Sequence, residues 1–427
     1  MLDARLDRRQ FVGAGLGLGA LSLLPAPVFA RIVASDWSKV QAALDAYVAD
    51  DRLPGAAAAV GYGTDPATFL AAGKLARDNP RKIDADSLFR VYSMTKPITG
   101  MAAMMLIEDG KIGLDQNIAD FIPGFAHPRV LVDPTKDLTS RPAARPITVR
   151  NLLTHTAGLG YAVIVTKGPL LGEYIRLGIN PGTISRKPIP GFPPISTAPS
   201  LEVFADRLAT LPLIADPGTK WSYSVALDLM GRVIEIASGM PFDAFLQKRM
   251  FDPLGMRSTF FRVPASETAR LTTNYGVSPK GQAPIDPGAS SVFSDAPAFP
   301  FGGAGLVMSP RDYDRFLLML AGHGAIGRTR VMKEATARLG MSNLLPPGID
   351  TAGTFAAGQG FGAGGRVKVR PDATPSGIGT YGWGGAAATI AWVDPTKRVR
   401  ACGFAQYMPD TAIPFTLDFA KSVYASL

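Results

Sequence analysis

One stretch constrains this chain more than any other: Leu88-Phe89-Arg90-Val91-Tyr92-Ser93-Met94-Thr95-Lys96-Pro97-Ile98-Thr99-Gly100. Proline has no N–H and a fixed φ, so it is tolerated in the first turn of a helix and harmful further in. Pro97 therefore places a helix start near Ser93, and the apolar run from Met101 to Ile107 continues that helix into the core. Met101, Met104 and Met105 read as core residues behind it. Residues three apart share a helical face, so the Lys96 amine can lie against the Ser93 hydroxyl. A serine at a helix N-terminus also sits where partial positive charge favours a developing anion. On its own Ser-x-x-Lys is a common pattern, and its meaning depends on which partners the rest of the chain supplies.

The chain is long enough to supply them. Its 427 residues are 47% hydrophobic and 19% charged, sufficient for a large core and unlike a disordered chain. The net charge of +9 is spread out, with no block of five or six Lys/Arg, so no nucleic-acid partner is expected. The lone cysteine, Cys402, excludes an intramolecular disulfide and a cysteine-based metal cluster. It lies in the alternating stretch Val399 to Phe404 and reads as a small buried hydrophobe. His127, His155 and His323 form no H-E-x-x-H or H-x-H pattern, so neither a metal nor another cofactor is expected.

Residues 1–30 look like a bacterial export signal, with a retained membrane anchor as the alternative. Asp7-Arg8-Arg9-Gln10-Phe11-Val12 resembles the twin-arginine pattern, and the uncharged, glycine-rich region from Phe11 to Ala30 follows it. Val28-Phe29-Ala30 offers small residues at the two positions a signal peptidase reads. Pro25, Pro27 and the glycines weaken a spanning helix. The expectation is a twin-arginine-type signal peptide, a periplasmic mature protein, and membrane contact only during export.

Along the mature chain, Asp36 to Asp50 has helical spacing, and Ala56 to Tyr62 reads as a buried strand with Phe69 to Gly73 as its hairpin partner. Thr148 can cap a short helix. Residues 166–200 and 264–300 read as long irregular segments, suited to binding loops. Helices are expected over Ser224 to Ser238, Pro241 to Phe251, Arg311 to Leu320 and Pro414 to Tyr424. Strands are expected at Arg366 to Val369, Ala387 to Val393 and Arg398 to Phe404, the last two joined by the turn Asp394-Pro395-Thr396-Lys397. Strands at both ends with helices between imply an α+β chain. Its sheet domain is formed by residues 31–115 and 300–427, around an inserted helical and loop domain, 116–299.

Two further stretches complete a constellation. Pro217-Gly218-Thr219-Lys220-Trp221-Ser222-Tyr223-Ser224-Val225 supplies a tyrosine at a loop-to-helix junction. Tyr381-Gly382-Trp383-Gly384-Gly385-Ala386 supplies glycines that let backbone approach a substrate, so that a strand-edge N–H can face an oxyanion. Together with Ser93 and Lys96 these resemble the serine β-lactamase and penicillin-binding-protein superfamily, most closely its class C-like esterase branch, the family VIII carboxylesterases. Tyr223-Ser224-Val225 stands where the family has Tyr-x-Asn, and Trp383-Gly384-Gly385 where β-lactamases have Lys-Thr-Gly. Leu152-Leu153-Thr154-His155-Thr156-Ala157-Gly158-Leu159 and Gly302-Gly303-Ala304-Gly305-Leu306 also resemble family features.

The resemblance implies a β-lactamase/transpeptidase-like fold, with an antiparallel sheet from both chain ends flanked by helices. It implies Ser93 as the acylated nucleophile, Lys96 as the group that holds its proton and sets the site's charge, and Tyr223 as base. The oxyanion would be held by the backbone N–H groups of Ser93 and Ala386, beside Trp383, Gly384 and Gly385. The departures narrow the substrate. Trp383 and Gly384 remove a cation and a hydroxyl that would hold a carboxylate, and Val225 removes an amide-binding asparagine. An uncharged, apolar small-molecule ester fits these changes, cleaved by a periplasmic serine hydrolase.

Alternatives on the same fold are an acyltransferase, a β-lactamase, or a D-amino-acid peptidase or amide hydrolase. Outside catalysis stands a penicillin-recognising envelope binding protein. His155 reads as a buried histidine bonded to backbone, and Asp228 as a brace for its helix. Gly360-Phe361-Gly362-Ala363-Gly364-Gly365 satisfies G-x-G-x-x-G but precedes a strand-like stretch rather than a helix, which argues against a dinucleotide site. No G-x-S-x-G occurs, which argues against an α/β-hydrolase nucleophile elbow.

Overall fold

The centre of the protein is an eight-stranded antiparallel sheet drawn from the two ends of the chain. A computed structural model describes residues 36–427 apart from 163–166, 181, 190–195 and 350. The expected signal segment, residues 1–30, lies outside the described residues. Three strands come early: β1 (Gly55–Tyr62), β2 (Thr68–Ala76) and β3 (Asn79–Lys82). Five come late: β4 (Gly360–Phe361), β5 (Arg366–Val367), β6 (Tyr381–Gly385), β7 (Thr389–Asp394) and β8 (Val399–Phe404). Their spatial order is β4-β5-β6-β7-β8-β1-β2-β3. The first and last groups meet where β1 pairs with β8, from Ala57 opposite Phe404 to Tyr62 opposite Val399.

The sheet is covered on both faces, which is why β1 reads as a continuous apolar run. Ala57 and Ala59 enter the large core, while Ala56, Ala58 and Val60 enter a second core on the opposite face. That second face is covered by α1 (Ser38–Ala49) and the C-terminal helix (Phe415–Ala425), through Val40, Leu44, Phe419 and Val423. The other face carries α2 (Thr95–Glu108) and the helix Pro310–Ala321. Twelve of the fourteen residues of α2 are buried, so this helix is enclosed on all sides.

The helical region between the strand groups includes α3 (Val149–Leu153), α4 (Gly168–Leu177), α5 (Leu201–Ala209) and α6 (Ala226–Ser238). Thr148 and Asn151 form a reciprocal capping box on α3, as the sequence suggests for Thr148. Two expectations are corrected. Residues 166–200 contain α4 and are not wholly irregular; a proline in its first turn and Gly178 in the left-handed conformation at its end define the helix. Residues 264–300 contain a hairpin, Asn274–Ser278 with Gly281–Asp286. Trp383-Gly384-Gly385 lies within β6, paired to β7 from Tyr381 opposite Val393 to Gly385 opposite Thr389.

The G-x-G-x-x-G segment has a packing role. A Cβ on Gly100 of α2 would collide with the Ala363 carbonyl, and one on Gly364 with the Lys96 carbonyl. The glycines let two backbones touch beside the start of α2, and no βαβ unit surrounds them.

Candidate active site

Ser93 sits in a 3₁₀ turn, Tyr92–Met94, that runs directly into α2. Tyr92 before it has φ +41°, a left-handed conformation that costs a non-glycine residue roughly 1–3 kcal/mol. Surrounding bonds hold the turn. Val91 N–H donates to the Leu306 carbonyl (3.1 Å), Leu306 N–H to Thr95 Oγ1 (3.1 Å), and Tyr313 OH to the Met94 carbonyl (2.9 Å). Ser93 remains half-buried while Val91, Tyr92 and Met94 are buried, so within this turn Ser93 is the residue that keeps solvent access.

The expected partners converge on that hydroxyl. Tyr223 OH donates to Ser93 Oγ at 2.6 Å, and Lys96 Nζ donates to the same oxygen at 3.2 Å. Lys96 Nζ also donates to the Gly303 carbonyl at 2.7 Å and lies 4.5 Å from the centre of the Tyr223 ring. A cation over a phenol ring is attracted by its negative face, more strongly when water is excluded. Lys96 is fully buried.

Tyr223 is placed by the sequence on either side of it. Ser222 N–H donates to the His155 carbonyl (2.9 Å), and Val225 N–H to the Gly160 carbonyl (3.1 Å). The peptide segment 222–225 is thus laid along 155–160. Ser224 N–H donates to His155 Nδ1 (3.2 Å), whose ring packs 4.8 Å from that of Tyr223. Burial, and then the charge of Lys96, push His155 well below the usual imidazole range, so it is neutral. His155 is a buried histidine bonded to backbone, and through Ser224 it orients Tyr223.

The third stretch closes the other side. Trp383 stands 5.7 Å, ring to ring, from Tyr223. A Cβ on Gly385 would collide with the Val91 carbonyl, so the end of β6 abuts the turn carrying Ser93. Gly384 is half-buried, as is Ala386 just beyond the strand. All the sequence-predicted site residues therefore gather in one place.

Several other residues join them. Tyr161 stacks on Tyr223 (5.2 Å, 4° between planes), and Lys96 Nζ lies 5.5 Å from its ring centre. Its burial, then the neighbouring Tyr223 and Asp228, push its phenol well above the ordinary range, so it stays protonated. Trp221, Phe355 and Phe361 extend the aromatic wall; Phe355 lies 5.3 Å from Tyr223 and 6.0 Å from Trp383 while 66% exposed. Sequence reasoning missed all four. Trp221 is visible two residues before Tyr223, but Phe355 lies in an irregular loop with no pattern to mark it. Among the described residues no group of three His, Cys, Asp or Glu is placed to hold a metal. None of their helices is long and apolar enough to cross a membrane.

The family model described as Beta-lactamase matches residues 40–415. The chain belongs to the beta-lactamase family. Within it, Esterase EstB of Burkholderia gladioli is 32% identical over 429 residues, covering 95% of this chain and 99% of the relative. Lovastatin esterase of Penicillium rubens is 30% identical over 336 residues, covering 74% and 78%. Among solved structures, EstCE1, described as a hydrolase with promiscuous acyltransferase activity, has a TM-score of 0.73 at 26% identity, covering 91% of this chain and 98% of that one. The α+β, β-lactamase/transpeptidase-like fold expected from the sequence is therefore the fold of the protein.

Proposed function

We propose that this serine hydrolase of the beta-lactamase family cleaves uncharged, apolar carboxylic esters through an acyl-enzyme on Ser93. The observation that carries the reading is the convergence of Tyr223 OH (2.6 Å) and Lys96 Nζ (3.2 Å) on Ser93 Oγ under an aromatic wall. Relatives described as esterases support it. In acylation, the Tyr223 hydroxyl, which donates to Ser93 Oγ in the resting site, first releases its proton to solvent; Ser93 Oγ then bonds to the ester carbon while its own proton passes to the resulting phenolate. The carbon–alkoxy bond then breaks as Tyr223 returns that proton to the leaving oxygen. Water repeats the sequence on the acyl-enzyme and restores the Ser93 hydroxyl. Lys96 offsets the negative charge carried by Tyr223, and the N–H groups of Ser93 and Ala386 hold the oxyanion.

The wall also supports the substrate class. Trp383 places an uncharged ring where β-lactamases have the lysine of Lys-Thr-Gly, and Val225, in place of the asparagine, is fully buried. A carboxylate-bearing amide would find neither anchor here. An alcohol in place of water would turn hydrolysis into acyl transfer, a second reading favoured by the similarity to EstCE1. The Arg8-Arg9 pair and the Val28-Phe29-Ala30 site support export to the periplasm, to be tested by fractionation with and without Arg8→Lys/Arg9→Lys.

The deciding experiment is intact-mass analysis after mixing with a p-nitrophenyl ester. Wild type should gain one acyl group, and Ser93→Ala should gain none and lose turnover at an unchanged Tm. Turnover in a folded Ser93→Ala would overturn the proposal.

A further inference from the structure

Asp228 lies in the first turn of α6, fully buried, and the acylation steps above do not use it. Its Oδ1 accepts the Gly303 N–H at 2.8 Å, while buried Oδ2 has no hydrogen-bond partner. A carboxylate buried with one oxygen unmatched is unfavourable unless a charge compensates it. Gly303 shows where that charge is. Its N–H is held by Asp228, and its carbonyl accepts Lys96 Nζ at 2.7 Å. A Cβ on Gly303 would collide with Asp228 Oδ2, so glycine is what lets the carboxylate close on this peptide. Thr99 Oγ1, one turn along α2 from Lys96, fixes the same loop by donating to the Gly302 carbonyl at 2.7 Å.

We propose that Asp228 is the counter-charge of Lys96, a positioning residue that holds the lysine and its ammonium charge through Gly303 and thereby sets the acid limit of Ser93 acylation. This rests on the reading of Ser93 as the acylated nucleophile. Three other titratable groups face the pair. From the segment after α3, His155 is neutral and Tyr161 protonated at working pH. From the loop before α6 comes Tyr223, already bonded to Ser93. Burial pushes the Asp228 carboxyl up to about 6, with the Lys96 charge and the Gly303 N–H pulling the other way. Above that pH the pair is neutral overall. Below it Asp228 takes a proton, and the buried Lys96 ammonium loses its carboxylate counter-charge.

The test compares wild type with Asp228→Asn, which keeps an oxygen for the Gly303 N–H and removes the charge, its amide nitrogen taking the place of the unpartnered Oδ2. The readout is the pH dependence of Ser93 acylation by a fluorophosphonate and of kcat/KM for a p-nitrophenyl ester. Wild type should show an acid limb with a midpoint near pH 6. Asp228→Asn should lose that limb and fall about tenfold or more on the plateau. A folded Asp228→Asn with the wild-type rate and profile would reduce Asp228 to a helix brace. Absence of an acid limb near pH 6 in wild type overturns the inference even if the variant does not fold. Ser93→Ala separates the two readings, since its retained turnover would sink the acyl-enzyme itself, whereas its inactivity beside a normal Asp228→Asn would sink only this inference.

Discussion

Gly385→Ala tests the seam between β6 and the turn that carries Ser93. The added methyl would fall too close to two atoms, Thr389 Oγ1 and the Val91 carbonyl oxygen. The threonine can rotate its hydroxyl away, but the Val91 carbonyl belongs to the backbone two residues before Ser93. Reaching ordinary van der Waals separation requires the strand end and the turn to part by roughly 1 Å. That displacement opens the space between Ser93 N–H and Ala386 N–H, where the oxyanion would be held. Misplacement on this scale costs about 10²-fold, and loss of one oxyanion donor ~10²–10³, or about 2.7–4 kcal/mol of barrier. The loss should appear in kcat for p-nitrophenyl acetate, with KM changed only a few-fold, because the carbonyl is bound before its oxygen becomes an anion. Steady-state kinetics with a Tm control measures it. A folded Gly385→Ala with kcat within about threefold of wild type would refute the placement of the oxyanion site at this seam.

Three further outcomes are expected. Tyr223→Phe removes the proposed proton acceptor of Ser93 and should lower the acylation rate by ~10²–10⁴ in stopped-flow experiments, with folding intact. Phe355→Ala should leave Tm unchanged, because the ring is 66% exposed. It should weaken binding of aryl esters, seen in KM, by ~0.5–1.5 kcal/mol, the worth of a single aromatic pair between wall and substrate, and spare acetate esters of small alcohols. Arg90→Met breaks the buried pair with Asp286 (2.5 Å), also bonded to Ser291 Oγ, and should cost about 3–5 kcal/mol in urea unfolding.

The parts of the site that are legible in the sequence are those fixed by local geometry. Ser93 and Lys96 are one turn apart, Pro97 marks the helix start, and Tyr223 lies at a loop-to-helix junction. β1 and β8 are legible because alternation and apolar runs survive without knowledge of the partner strand. What stays hidden depends on tertiary structure. Asp228 looks like any acid near a helix start until Gly303, seventy-five positions later, is seen to bridge it to Lys96. The hairpin over Asn274–Ser278 and Gly281–Asp286 is hard to see because its strands are short, show no regular alternation of buried and exposed residues, and are interrupted by Pro284. β6 is not among the strands legible in the sequence since three of its five residues are glycine, which weakens strand propensity. Helix α4 is obscured by flanking prolines and glycines, although its own ten residues are amphipathic.

The pairing of β1 with β8 has a consequence for how the molecule is made. Tyr62 meets Val399 across more than three hundred residues of intervening chain. On the ribosome β1 waits with one edge unsatisfied until nearly the whole polypeptide has emerged. Pairings of such long sequence separation slow folding, because the loop must close before the pairing rewards it. The turn bearing Ser93 leans on β6, which is tied through β7 to that last strand. A nascent or truncated chain ending before Val399 should therefore carry the whole reactive constellation in its sequence and show none of its chemistry.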